Sequence, residues 1–168
     1  ATLGIFDEGF YPAYYEEVDY CYRARAAGAR VVYEPAAVAI HHESQSSDKR
    51  TAVYHRAMER GRVRFVLKNY PPDQLLNAFF PAELDYVQHV TADFARDVCA
   101  PLYADVLTNL PPLSPERAAE IVEALRHLRA AARHVAAHHT ATLREVPMPE
   151  PLPPLNVPAL HEYDFQSN

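Results

Sequence analysis

Tyr14-Tyr15-Glu16-Glu17-Val18-Asp19-Tyr20-Cys21-Tyr22-Arg23-Ala24-Arg25-Ala26-Ala27-Gly28 is the stretch on which the fold turns. Val18, Cys21 and Tyr22 recur at helical spacing, alanine and arginine fill the positions between them, and Gly28 supplies a stop, so a helix is expected over residues 16–27. Three acids, Glu16, Glu17 and Asp19, crowd its first turn, where the positive end of the helix dipole favours them. Just downstream, Arg30-Val31-Val32-Tyr33 and Ala37-Val38-Ala39-Ile40 are short runs rich in β-branched residues on either side of Pro35, which predicts two short strands. This part of the chain is thus read as one helix and two short strands.

Farther along, helices are expected to dominate. Residues 52–70 set Tyr54, Met58, Val63, Phe65, Val66 and Leu67 among Arg56, Arg60, Arg62, Arg64 and Lys68, a basic amphipathic helix that Pro71 and Pro72 end. A second helical region is read from about residue 83 to 107, bent at Pro101. After Pro111-Pro112, Ser114-Pro115-Glu116 opens a third helix with a cap, a first-turn proline and a first-turn acid. Its stripe Ile121, Leu125, Leu128, Ala132 and Val135 recurs at steps of three and four, with Glu120, Glu123, Arg126, Arg129 and Arg133 elsewhere. Six prolines between Pro147 and Pro158 make the tail an extended, polyproline-like segment. The divisions expected are therefore residues 1–48, accessory helices 49–112, an amphipathic helix 113–146 and a proline-rich tail 147–168.

The composition narrows the classes of partner. The 168 residues carry a net charge of −6, so there is no broad positive field to hold a phosphate backbone, and no nucleic-acid partner is expected. Two cysteines, Cys21 and Cys99, are too few for a disulfide framework and lack zinc-site spacing, which fits a reducing cytoplasm. No apolar run approaches the roughly 20 residues that cross a bilayer. The chain starts at Ala1 and runs straight into dense motifs, which leads us to expect a piece of a longer protein.

Gly4-Ile5-Phe6-Asp7-Glu8-Gly9-Phe10-Tyr11, the acid run, Ala27-Gly28-Ala29-Arg30-Val31-Val32-Tyr33-Glu34-Pro35 and Ile40-His41-His42 together resemble the inverting family 2 glycosyltransferases. Their pattern here is a Phe-Asp-Glu-x-Phe-Phe segment, an aromatic-Glu-Asp-x-Asp-x-Cys-x-Arg helix start, an Ala-Gly-x-x-Val-x-x-x-Pro strand and a terminal His-His. The match is specific over about the first 45 residues and extends to about Pro71. It implies an α/β fragment, mostly helical, in which residues 1–48 are the C-terminal, acceptor-side edge of a GT-A domain with two short strands, followed by a bundle of long helices. It also implies transfer of a sugar, of the hexosyl type, from a nucleotide-sugar donor to a hydroxyl of a sugar or glycolipid acceptor. Such an enzyme would work in the cytoplasm, free or peripheral to a membrane, on cell-envelope polysaccharide. No Asp-x-Asp occurs in the chain, so a divalent cation, Mn or Mg, is expected only together with the missing N-terminal half, and the chain alone is expected to be inactive.

The chemistry behind such a cluster can be stated independently. Joining an acceptor hydroxyl to an activated sugar needs a base within hydrogen-bond reach, and a carboxylate at a cleft mouth can serve. The departing diphosphate needs neutralising, and imidazole with carboxylate is a reasonable ligand set for manganese or magnesium. Carried over by resemblance, Glu17 takes the position of the catalytic base, where the family normally has aspartate. Glu16 precedes it, Asp19 is the second acid, and Arg23 is placed for an i, i+4 ion pair with Asp19. His41 takes the position of the metal-binding histidine. Tyr14 and Tyr15, just before the acids, are assigned to acceptor contact. Arg60 or Arg62, in a segment where Gly61 replaces the family's asparagine, would reach the diphosphate or an anionic lipid surface. Each feature has a plainer alternative: acids favoured by a helix dipole, and arginines on a solvated basic face. His134, His138 and His139 read as surface residues. The rival for the whole chain is a non-catalytic helical interaction or dimerisation module whose last amphipathic helix pairs with another chain, a homodimer through Leu125 and Leu128 being one form of it.

Overall fold

The computed structural model describes residues 3–40, 51–113, 115 and 117–138, which form five helices: α1 (Glu16–Ala26), α2 (Ala52–Asn69), α3 (72–89), α4 (92–108) and α5 (Ala118–His138). A 3-10 turn at Glu8–Phe10 precedes α1, with the Asp7 carboxylate accepting the Gly9 N–H at 2.8 Å as its cap. Gly28 ends α1 in a left-handed conformation, φ 84°, and the bonds from Gly28 N–H to Arg25 and from Ala29 N–H to Ala24 close the turn. Thr51 caps α2 by accepting the Tyr54 N–H.

The α3 and α4 helices share one construction. Each begins with a short α-helical turn, widens into a π turn (Leu75–Phe79 or Ala95–Cys99) and resumes as Phe80–His89 or Ala100–Thr108. Pro81 and Pro101 are the second residues of the resumed segments. Proline has no N–H and its ring collides with the carbonyl four residues back, so a widened turn just ahead of it lets the helix continue. In each case the N–H before the proline reaches five residues back, from Phe80 to Leu75 and from Ala100 to Ala95. The expected single helix over 83–107 is thus two helices. The chain breaks at Val90, whose extended ψ of 162° precedes the Thr91 cap of α4. The earlier helix begins at Pro72, whose missing N–H is harmless in a first turn.

The α5 helix lies along α3 and α4, and α2 packs on α4. Every residue of the predicted stripe, Ile121, Leu125, Leu128, Ala132 and Val135, is buried, and Glu120, Glu123, Arg126, Arg129 and Arg133 are exposed. Those side chains join Leu75, Phe79, Val87, Tyr103, Val63 and Val66 in one core. Ser114 and Glu116 of the expected cap, and the tail, lie outside the described residues. A mostly helical chain with a helical bundle is what the structure has.

The α/β assignment with two short strands is corrected. No strand occurs among the described residues, and 29–40 runs as irregular backbone with a turn at Pro35-Ala36. Val32, Tyr33, Val38 and Ile40 are each more than 60% exposed. A β-branched run favours extended backbone, but a strand exists only when its N–H and C=O groups meet a neighbouring ladder, and none of the described segments provides one.

Candidate functional site

The site is built where the corner before α1 lies on α2. Tyr14 and Tyr15 both have left-handed backbones, φ 82° and 73°, a conformation that costs a residue with a Cβ on the order of 1–3 kcal/mol. Gly61 permits it. A Cβ there would stand 2.5 Å from the Tyr14 carbonyl oxygen and 3.1 Å from the Tyr15 ring, so only glycine lets the corner lie directly on the helix. The Tyr15 ring packs beside Phe65 at 6.0 Å, and Tyr22 meets Phe65 edge-on at 5.6 Å while its hydroxyl donates to the Asn69 carbonyl. These contacts fix α1 and its acidic first turn on α2.

The three acids of that turn are used differently. Asp19 is fully buried and accepts from Arg23 Nε at 2.8 Å, Lys68 Nζ at 2.9 Å and Asn69 Nδ2 at 3.1 Å. The i, i+4 pair with Arg23 is the one expected. Lys68 also donates to Asp7 at 2.8 Å, and Arg64 Nη2 reaches both Asp7 oxygens at 3.2 and 3.3 Å. Arg23 further donates to the carbonyls of Leu3 and Ile5, tying the N-terminal segment to the same cluster. Burial by itself would push both carboxyls up, but the donors outweigh it. Lys68, Arg23 and Asn69 hold Asp19 below the usual carboxylate range, and Lys68, the Gly9 N–H and Arg64 hold Asp7 down at about 2. Glu17, by contrast, is exposed, and no hydrogen bond or ion pair among the described residues takes up its carboxylate. Glu16 is half-buried, with one carboxylate oxygen enclosed and without a hydrogen-bond partner.

The two arginines assigned to an anionic ligand have internal partners. Arg60 donates to Asp105 Oδ2 at 2.6 Å and to the carbonyls of Gly9 and Tyr11. Arg62 is held between Glu59 and Glu83, and Glu83, only 4% exposed, also accepts the Tyr103 hydroxyl at 2.7 Å. Arg60, Arg62, Arg64 and Lys68 are therefore engaged within the chain. Two of the acids they pair with, Asp19 and Glu83, are buried and need such partners in a low-dielectric interior. Sequence reading missed Asp7, Lys68, Asn69 and Glu83 in these roles. The usable signal was a helix with five cations, Arg56, Arg60, Arg62, Arg64 and Lys68, in a chain of net negative charge.

His41 lies outside the described residues, so its relation to Glu17 does too. Among the described residues no three of His, Cys, Asp and Glu converge to hold a metal ion. Asp7 and Asp19 are saturated by cationic donors, and these residues by themselves do not fit a divalent cation. No described helix is long and apolar enough to cross a membrane.

Over 86 residues the chain is 31% identical to a galactofuranosyl glycosyltransferase from Leishmania donovani, a stretch covering 45% of this chain and 19% of that protein. The chain thus spans about a fifth of the length of the curated relative it matches. No protein-family model matches the chain. No solved structure matches it either.

Proposed function

We propose that the chain is the acceptor-side part of an inverting family 2 glycosyltransferase in which Glu17 is the base. The Glu17 carboxylate takes the proton of an acceptor hydroxyl as its oxygen bonds to the anomeric carbon and the nucleoside diphosphate leaves from the opposite face. The observation that carries this is the separation within one helical turn: Asp19 is locked in an ion network, whereas Glu17 stands exposed beside a strained aromatic corner, with no partner among the described residues. Strained backbone over-determined by its surroundings is a common mark of functional sites. The likeness to a sugar-transferring relative supplies the reaction class, and galactofuranose is the first donor sugar to test.

The donor site is assigned to another part of a longer protein. All the strongly exposed large apolar residues among the described ones, Phe6, Tyr33, Val38 and Ile40 among them, precede residue 54. The acid-bearing segment thus presents the kind of apolar surface that is normally covered by a second body. A divalent cation enters this proposal only through residues other than those described, and a cytoplasmic site of action on glycolipid or envelope polysaccharide goes with it. The rival, a dimer through Leu125 and Leu128, finds no support, because both side chains are spent on the chain's own core.

The test is the stereochemistry of the product. The protein carrying this chain, given nucleoside-diphosphate-activated galactofuranose and an alkyl glycoside acceptor, should form a glycoside of inverted anomeric configuration by NMR. Retained configuration, or no transfer to any sugar acceptor, would overturn the proposal.

A further inference from the structure

Four half-buried rings run in an unbroken row beside the acids. Tyr14 meets Tyr54 at 5.4 Å, Tyr54 meets His55 at 5.4 Å, and His55 meets Phe94 at 5.6 Å, each pair steeply tilted toward edge-on packing. The row starts at the corner that leads into Glu16 and Glu17, crosses the first turn of α2 and ends on the first turn of α4. It joins the acid-bearing corner to the bundle without passing through the fully buried core. Its chemistry alternates apolar ring faces with two phenol hydroxyls and an imidazole. A sugar residue has the complementary make-up, a C–H face that stacks on an aromatic plane and a rim of hydroxyls that seeks polar edges.

We infer that this row is a binding ledge for the sugar residues of the acceptor that lie behind the one reacting at Glu17. Its ligand class rests on the sugar-transfer proposal. Three ring-to-ring steps exceed what a single sugar can cover, so the acceptor that fits is an oligosaccharide, and Phe94 marks the end farthest from the base.

The ledge can be tested by binding alone. The full chain is titrated with octyl β-galactofuranosides of one, two and three sugar residues, followed by saturation-transfer NMR and tyrosine fluorescence. Affinity should rise with acceptor length, and Tyr54→Ala and Phe94→Ala should each weaken the trisaccharide by about tenfold while leaving the monosaccharide unchanged. Phe94→Leu keeps apolar volume, and with it the helical circular dichroism, but should lose the same affinity. No gain with length in the wild type, or a Phe94→Leu variant that binds every acceptor normally, would overturn the ledge. This binding readout requires no transfer, so it does not depend on Glu17 acting as a base. A base assignment that fails while this length dependence persists would therefore fall without taking the ledge with it.

Discussion

Glu17 and Asp19 stand two positions apart on one helix, which turns them about 200° from each other, and that rotation decides their chemistry. Asp19 faces α2 and is surrounded by Lys68, Arg23 and Asn69, while Glu17 faces outward. Removing the buried acid leaves two cations short of a partner, so Asp19→Ala should cost roughly 3–5 kcal/mol in a denaturant titration. Glu17→Gln should change stability by less than about 0.5 kcal/mol. Asp7 offers a pH readout. Its carboxyl is held at about 2, below an ordinary value of 3.8, so its contribution is fully present above pH 4 and is lost as pH falls towards 2. Asp7→Asn should remove about 2 kcal/mol at pH 7 and flatten the stability profile across that acid window. Gly61 is the other decisive residue. Alanine there would gain up to about 1 kcal/mol of helix propensity, yet it would push against the Tyr14 carbonyl, and a net loss of about 1–3 kcal/mol is expected on thermal melting. The acids were legible from sequence because they are local. Their partners were not, since Lys68 and Asn69 lie 49 and 50 residues beyond Asp19 and no short-range rule links them.

At the scale of elements, legibility follows how much of a signal is contained within the element. The stripe on α5 needs only the helical period, and all five of its positions are buried as read. Leu125→Ala should therefore lose roughly 2–5 kcal/mol by creating a cavity inside the bundle, with the sedimentation behaviour of the chain unchanged. The runs at 30–33 and 37–40 carry strand propensity, but a strand is a property of a pair, and the propensity alone did not make one. Proline misled in the opposite direction. Pro71 and Pro72 do end α2, yet Pro72 also opens α3, and Pro81 and Pro101 sit inside helices because a π turn makes room for each. The widened turn is the adjustment each proline requires, and nothing in the flanking residues announces it in the sequence.

Over the molecule as a whole, charge and apolar surface are segregated. Four cations of α2, Arg60, Arg62, Arg64 and Lys68, are turned onto Asp7, Asp19, Glu83 and Asp105, which draws the N-terminal segment, α1, α3 and α4 around one helix. Among the described residues the exposed large apolar side chains lie at or before Val53, and the rest of the bundle exposes none. Val32→Asp with Tyr33→Asp should lower binding of a hydrophobic dye and leave unfolding free energy within about 0.5 kcal/mol, because neither side chain packs on the core. The bundle holds the acid turn in place through the Tyr15, Tyr22 and Lys68 contacts of α2. The central assignment is decided by comparing the sugar-transfer rates of the wild-type protein carrying this chain, Glu17→Gln and Glu16→Gln at saturating donor. Glu17→Gln should fall by about 10²–10⁴-fold with Glu16→Gln far less affected, and a Glu17→Gln enzyme as fast as the wild type would contradict it.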